Sequence, residues 1–425
     1  MQVFDKISIF LFTLLPISLI LGNFAVNINI LIIDIFTLYI CFIKKNWDWT
    51  KEKFFKLLII FYFFLIVNSL YSYFSSNYPT NSALIRSLTF IKFIVFAYSF
   101  KILVKDSKIL KKIMIYWSCI ITVVIFDVFF ESIFGYNIAG NESVDGTRIV
   151  SFFKDETVVG SLILCFGYAV TVYYLGQNLK VKNNIIFNFL LFLIPLTILI
   201  TGERSNFIKS LLIFSFIIIF INQQKLILKK KNLTVLVLIS FLSLIYLNPN
   251  IYSKQTEFFK RVIDINKTES ESIEGNNFFN RFQNIKYFVH YDVSLKIFKE
   301  YPLFGVANKN FRHECHNEKY FDEKIKLSNL RCNTHPHQIH FELLSEHGII
   351  GYIFFFFMMF TGLKKIYHNY IVTKNIFYLS SLLYLIIFLI PLLPSGSFFS
   401  TYNGTLFWII FSIGNTKKIL LGKTI

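Results

Sequence analysis

Six of the chain's eight histidines fall between Arg312 and Gly351: His313, His316, His335, His337, His340 and His347. Cys315 and Cys332 lie in the same stretch. The imidazole titrates closer to neutrality than any other side chain, so it serves as a proton acceptor or a metal ligand. A His/Cys mixture raises zinc first. The spacing fits no standard zinc pattern, however, and outside the cytosol two cysteines form a disulfide instead. The competing reading makes one histidine a catalytic base and sets the others around the mouth of its site. From Gln338 the sequence turns helical, with His337, His340, Leu344 and His347 on one face and Glu342 and Glu346 on another. The bland alternative is an interfacial helix with histidines at headgroup depth.

Cations and acids inside apolar sequence are the second source of chemistry, because each is expensive in a bilayer. The run Thr201-Gly202-Glu203-Arg204-Ser205-Asn206 places Arg204 at a tight turn on a helix end. Its planar fork of donors suits phosphate, and the plain alternative is an arginine snorkelling to headgroups or paired with Glu203. Arg86 stands near the end of another apolar block, with Lys92 roughly 9 Å deeper at the helical rise. Asp34 is placed to neutralise Lys92, and Asp127 and Glu131 share one face of a helix. For these five the simpler reading is buried pairing that fixes helix packing. The functional one is a polar cavity.

The elements that must hold these groups are membrane helices. Only 16% of the 425 residues are charged and 55% are hydrophobic, against roughly 25% charged in soluble domains. That excludes a soluble enzyme, a disordered chain and a fibre. The apolar blocks give an all-α polytopic protein with about twelve spans: 7–24, 25–43, 55–74, 85–104, 113–134, 156–175, 185–201, 206–222, 233–248, 348–364, 375–395 and 402–415. The first block lacks a clear cleavage site and is not read as a signal peptide. The net charge of +18 sits in short lysine clusters in alternate loops, beginning with Lys44, Lys45, Lys51 and Lys53 and ending with Lys417, Lys418 and Lys423. That placement predicts two cytoplasmic termini and speaks against a nucleic-acid partner. Two loops on the other side are long, 135–155 and 249–347. The chain then divides into helices one to nine (1–248), a periplasmic loop domain carrying the histidines (249–347), and helices ten to twelve with a cytoplasmic tail (348–425). Within the large loop, composition shifts at Asn248-Pro249-Asn250, the stretch Asn266 to Asn277 is polar, and 278–301 reads as an amphipathic helix. No internal repeat or matched pair of broken helices points to a transporter.

Three motifs together resemble those of bacterial O-antigen ligases and the wider O-antigen ligase/polymerase superfamily. His337-Gln338, nine residues, Gly348, two residues and Gly351 match the ligase pattern His-[Asn/Ser/Gln]-x9-Gly-x-x-[Gly/Thr/Tyr]. Tyr301-Pro-Leu-Phe-Gly305-Val resembles the PLFGVG element, with Ala307 where Gly is common. Thr201-Gly202-Glu203-Arg204-Ser205 resembles the TGSRG element, with Glu203 in place of Ser and Ile208 in place of Leu after it. Arg281 occupies the place of the second family arginine.

The resemblance implies a metal-independent, C-type membrane glycosyltransferase of the bacterial inner membrane, with no cofactor. The donor would be a glycan on undecaprenyl diphosphate, the acceptor a sugar hydroxyl of the lipid A core, and membrane lipid the surroundings. His337 would remove the hydroxyl proton. Arg204 and Arg281 would hold the diphosphate leaving group, with Gln338, Arg86 and Lys92 as further substrate-binding candidates, and attack from the opposite face would invert the anomeric carbon. One dominant loop favours a ligase over a polymerase, which tends to show two. A protein O-oligosaccharyltransferase and, from another class, a glycan-lipid transporter are the remaining alternatives.

Overall fold

The computed structural model describes residues 2–75, 81–142, 148–154, 156–178, 185–223, 286–323, 325 and 327–416. Apart from one isolated bridge between Tyr136 and Glu142, the regular elements among them are helices. The expected span 233–248, the break at Asn248-Pro249-Asn250, the polar stretch 266–277 and Arg281 lie outside the described residues. So do Lys417, Lys418 and Lys423.

Helices α1 (Gln2–Leu21) and α2 (Asn23–Lys44) are separated only by Gly22, and α3 (Lys53–Ser75) follows. The next expected span is broken into α4 (Ser82–Thr89) and α5 (Ile91–Leu103). Helix α6 (Ser107–Phe134) starts where Asp106 accepts a hydrogen bond from the Ile109 amide at 2.8 Å, and it ends at left-handed Gly135. A π-helical turn at Ile163–Gly167 joins α7 (Val159–Leu162) to α8 (Tyr168–Asn178), and α9 (Ile185–Ile200) and α10 (Arg204–Gln223) form the next pair. Then come α11 (Lys286–Glu300), the single turn α12 (Phe311–Glu314), the long α13 (Ile339–Thr373), α14 (Ile376–Phe388) and α15 (Thr401–Gly414).

Seven spans among the described residues are long and apolar enough to cross a bilayer. Side chains such as Phe24, Phe42 and Phe74 stand more than three-quarters exposed. Isolated in water they would be a liability, but against acyl chains they are at home. The inward faces close around aromatic rings: Trp408 of α15 packs against Phe93 of α5, Phe398 and Phe411. Helix α13 leans on α3, α11 and α14. The chain is a multi-pass membrane protein.

The acids do not pair as the sequence led one to expect. Glu131 accepts from the Val150 and Ser151 amides at 3.0 and 2.7 Å, and Asp127 accepts from the Ile138 amide at 2.8 Å and the Ser151 hydroxyl at 2.5 Å. The pair fastens the segment after α6 back onto that helix, each carboxylate accepting from two loop donors at once. Lys92 likewise makes no hydrogen bond to Asp34, although the two charges still act on each other at a distance. It donates to Asn27 at 2.5 Å and Thr401 at 3.1 Å. Asp34 lies seven residues beyond Asn27 on α2, about 10 Å deeper at the helical rise, and a flexible ammonium turns toward the more polar end. In α11 the buried row is Val289, Val293 and Ile297, while Leu295 faces out; residues 278–285 of the expected helix are outside the described set.

Candidate functional site

The site is built on a broken helix. Gly348 interrupts α13 with φ 61 and ψ −169, a region open essentially to glycine alone. A break frees backbone groups that must find other partners. Here the loop after α11 supplies them: the Val306 and Ala307 amides donate to the Ser345 and Glu346 carbonyls at 2.9 and 2.7 Å, and the Ile349 amide donates to the Pro302 carbonyl at 2.8 Å. The two backbones touch. A Cβ on Gly348 would lie 2.3 Å from the Leu303 carbonyl oxygen, and one on Gly305 would lie 2.5 Å from the Glu346 carbonyl carbon. The glycines of two separate motifs are therefore one contact. Ala307 holds φ 72 at the position where the PLFGVG element has glycine. From α3, Asn68 donates to the Phe304 and Glu346 carbonyls at 3.0 and 3.3 Å, so three elements are locked together.

This lock fixes the histidine segment just ahead of α13. Gln338 caps the helix, accepting from the His340 and Phe341 amides at 2.7 and 3.2 Å, while its Nε2 donates to the Ile390 carbonyl. His337 is held at φ 60, a conformation that costs a non-glycine residue about 1–3 kcal/mol and recurs at functional sites. Its carbonyl accepts from the Ser395 amide at 2.7 Å. Its ring lies 4.2 Å from that of His335, 5.3 Å from Tyr287 and 5.5 Å from His290 of α11. Burial, with His290 and Lys286 nearby, pushes His337 down to about 4. Burial, with His337 nearby, pushes His335 down to about 3. Both rings are neutral at pH 7, with a lone pair free to accept a proton but a basicity weakened by burial. His340 and His347 do not join them, although the helical pattern put them on the face of His337. His337 precedes the helix; His340 is bound to the Tyr352 hydroxyl and the Leu389 carbonyl at 2.8 Å each, and His347 is buried beside Asn68.

Beside this cluster lies a cavity of about 170 Å³ between α4, the 306–312 loop, α13 and the segment 397–403. Arg86, Lys309 and Arg312 supply three cations, Glu342 and Glu346 two buried carboxylates, and His335 an imidazole. Glu342 is occupied by the Ser397 hydroxyl and the Phe398 amide. Burial, and then the charges of Arg312 and Arg86, hold Lys309 below its ordinary value. Lys309 and Arg312 were not singled out as site residues in the sequence. The one signal was Gly305 itself, since a glycine needed for backbone contact brings the residues after it against the partner helix.

Arg204 begins α10. Its neighbour Ser205 donates to the Pro394 carbonyl, as does Lys209 at 3.1 Å, and Ser395 donates to His337. The turn that carries Arg204 and the backbone of His337 thus hold adjacent residues of one strap. Lys92 is at Asn27 and Thr401, outside the cavity wall.

Cys315 and Cys332 are joined, with Cα atoms 5.3 Å apart. The pair closes a small lobe in which Val293 and Ile297 of α11 pack on Val306, Phe311 and Tyr320, and Arg331 donates to the Cys315 and His316 carbonyls. Cys315, His316 and Cys332 are the group closest to a metal-ligand arrangement among the described residues. With both sulfurs bonded to each other, no thiolate remains there for zinc. Reduction should shift the protein's mobility on a gel, and the shift should vanish in Cys315→Ser.

Residues 189–356 match the family model described as O-antigen ligase. No curated protein matches the chain. The match runs from α9 and α10 through the PLFGV loop and the histidine segment into the far side of the α13 break. This multi-pass membrane protein carries an O-antigen ligase family domain over residues 189–356.

Proposed function

We propose that the protein is an O-antigen ligase. It transfers a glycan from undecaprenyl diphosphate, at the outer leaflet of the bacterial inner membrane, to a sugar hydroxyl of the lipid A core. The observation that carries the reading is the family domain itself, whose strained, neutral His337 shares the 394–395 strap with the turn that presents Arg204. His337 accepts the proton as the hydroxyl attacks the anomeric carbon from the face opposite the diphosphate, inverting it. Arg204 and Arg281 take the charge that builds on the bridging oxygen as that bond breaks. Guanidinium groups supply that stabilisation without a divalent ion, so EDTA should leave the rate unchanged.

Losing one arginine from such a clamp costs on the order of 3 kcal/mol, about a hundredfold in rate. Arg204→Ala should therefore transfer about a hundred times more slowly in a reconstituted assay with a defined polyprenyl-diphosphate donor and core acceptor. Wild-type rate in that variant would remove Arg204 from the mechanism. The reading as a whole is tested by deletion in the source strain. A missing ligase leaves polymerised glycan on its lipid carrier, whereas a missing polymerase leaves single repeat units on the core.

The imidazole also sets a pH dependence. Its folded value lies near 4, below the ordinary value near 6.5, so the proton-accepting form persists down to about pH 4 in the free enzyme. The acid limb of kcat/KM should fall near pH 4, and that of kcat should lie higher, because a bound diphosphate stabilises the imidazolium. An acid limb of kcat/KM near 6.5 would contradict the burial of His337.

A further inference from the structure

The cavity beside the histidines has a chemistry that a diphosphate clamp alone does not explain. Its volume of about 170 Å³ far exceeds the roughly 10–15 Å³ one water needs, and it suits one sugar ring rather than a chain of them. Four residues of its wall each carry a buried side-chain atom without a hydrogen-bond partner: Arg86 Nε, Arg312 Nε, His335 Nε2 and Glu346 Oε2. Such atoms are costly to leave unsatisfied. The two arginine nitrogens are donors, the imidazole nitrogen is a donor or an acceptor by its tautomer, and Glu346, only 1% exposed, offers an acceptor. Lys309 adds a third cation to the same wall. A diphosphate carries no hydroxyl to offer Glu346 and would set more negative charge beside it. A neutral sugar leaves the three cations of the wall facing only two carboxylates, Glu342 and Glu346, with one positive charge unmatched.

We infer that this cavity binds a single acidic sugar residue. Its carboxylate or phosphate is held by Arg86, Lys309 and Arg312, and a ring hydroxyl donates to Glu346. The inference rests on the glycan-transfer reading and narrows its substrate: one of the two glycans bears an acid group at the residue nearest the reaction. Arg312 acts here as a specificity determinant. It is half-buried, and its terminal nitrogen donates to the Thr334 carbonyl at 3.1 Å, so both its charge and its fork are poised.

The test is thermal unfolding of the purified full chain in detergent, titrated separately with glucuronate, glucose 6-phosphate, glucose and inorganic pyrophosphate. A ligand that binds the folded state raises the midpoint in proportion to its occupancy. Glucuronate or glucose 6-phosphate should raise it at concentrations at least tenfold below those at which glucose or pyrophosphate acts, and whichever acid works better identifies the anion. Arg312→Gln should lose that preference by tenfold or more, while Arg312→Lys keeps part of it; unliganded midpoints within a degree or two of wild type show that both variants fold. Equal action of glucose, stronger action of pyrophosphate, or an undiminished preference in Arg312→Gln would overturn the proposal. Because binding is read without turnover, a protein that selects acidic sugars yet transfers no glycan would refute the ligase reading and leave this site standing.

Discussion

Replacing His337 by alanine is expected to lower the rate of glycan transfer by about 10²–10⁴-fold, the usual contribution of a positioned general base, while the protein accumulates in the membrane as before. The second half of that expectation follows from how the residue is held. What fixes the segment is backbone: the His337 carbonyl on the Ser395 amide, and Gln338 capping α13. Neither needs the imidazole. His340→Ala is the matched comparison. It removes bonds to Tyr352 and Leu389, so it should cost stability of about 1 kcal/mol per lost bond and leave the transfer rate within a few-fold. Both variants can be compared by ligation assay and membrane immunoblot in a deletion strain. Full transfer by His337→Ala would end the role assigned to it.

The second large effect should come from a residue with no side chain. In Gly348→Ala the new methyl would lie 2.3 to 2.6 Å from the Leu303 carbonyl and the Phe304 nitrogen. These are backbone atoms that cannot swing aside, and the backbone angles are ones alanine avoids. A native fold is worth only about 5–15 kcal/mol, and strain of about 1–3 kcal/mol together with a backbone clash takes a large share of it. Transfer activity should be undetectable and the thermal midpoint should drop sharply or disappear. Gly135→Ala is the control: Gly135 has φ 80 but nothing within 4 Å of the added carbon, so it should cost only about 1–2 kcal/mol. If the two variants unfold at the same temperature, the backbone contact is not what holds the site.

The parts of this arrangement that were legible in the sequence are those written in local pattern. Long apolar blocks give helices over most of the described chain, although the block 375–395 is helical only over Ile376–Phe388 and 85–104 is broken at Phe90; the histidine-rich stretch with the residues flanking it marks the segment where the rings of His335 and His337 meet. Arg86 stood out because a guanidinium inside an apolar block needs a reason. The rest depended on contacts between distant stretches. Lys309 and Arg312 look like ordinary loop cations until Gly305 brings their loop against α13. Glu346, read only as one face of a helix, becomes the acceptor of a cavity because α4 closes over it. Lys92 and Asp34 act on each other without a hydrogen bond for a related reason: depth along α2 and α5 does not fix where a flexible ammonium ends, and the lysine finds hydroxyl and amide partners on α15 and near the start of α2.

The break at Gly348 has a consequence for anyone recombining such proteins. Because the freed groups of α13 are satisfied by residues 302–307, neither stretch is a transferable unit. A chimera that takes its histidine segment from one parent and its PLFGV loop from another inherits half of a reciprocal fit. Exchange should succeed only when both stretches come from the same parent, whatever lies between them.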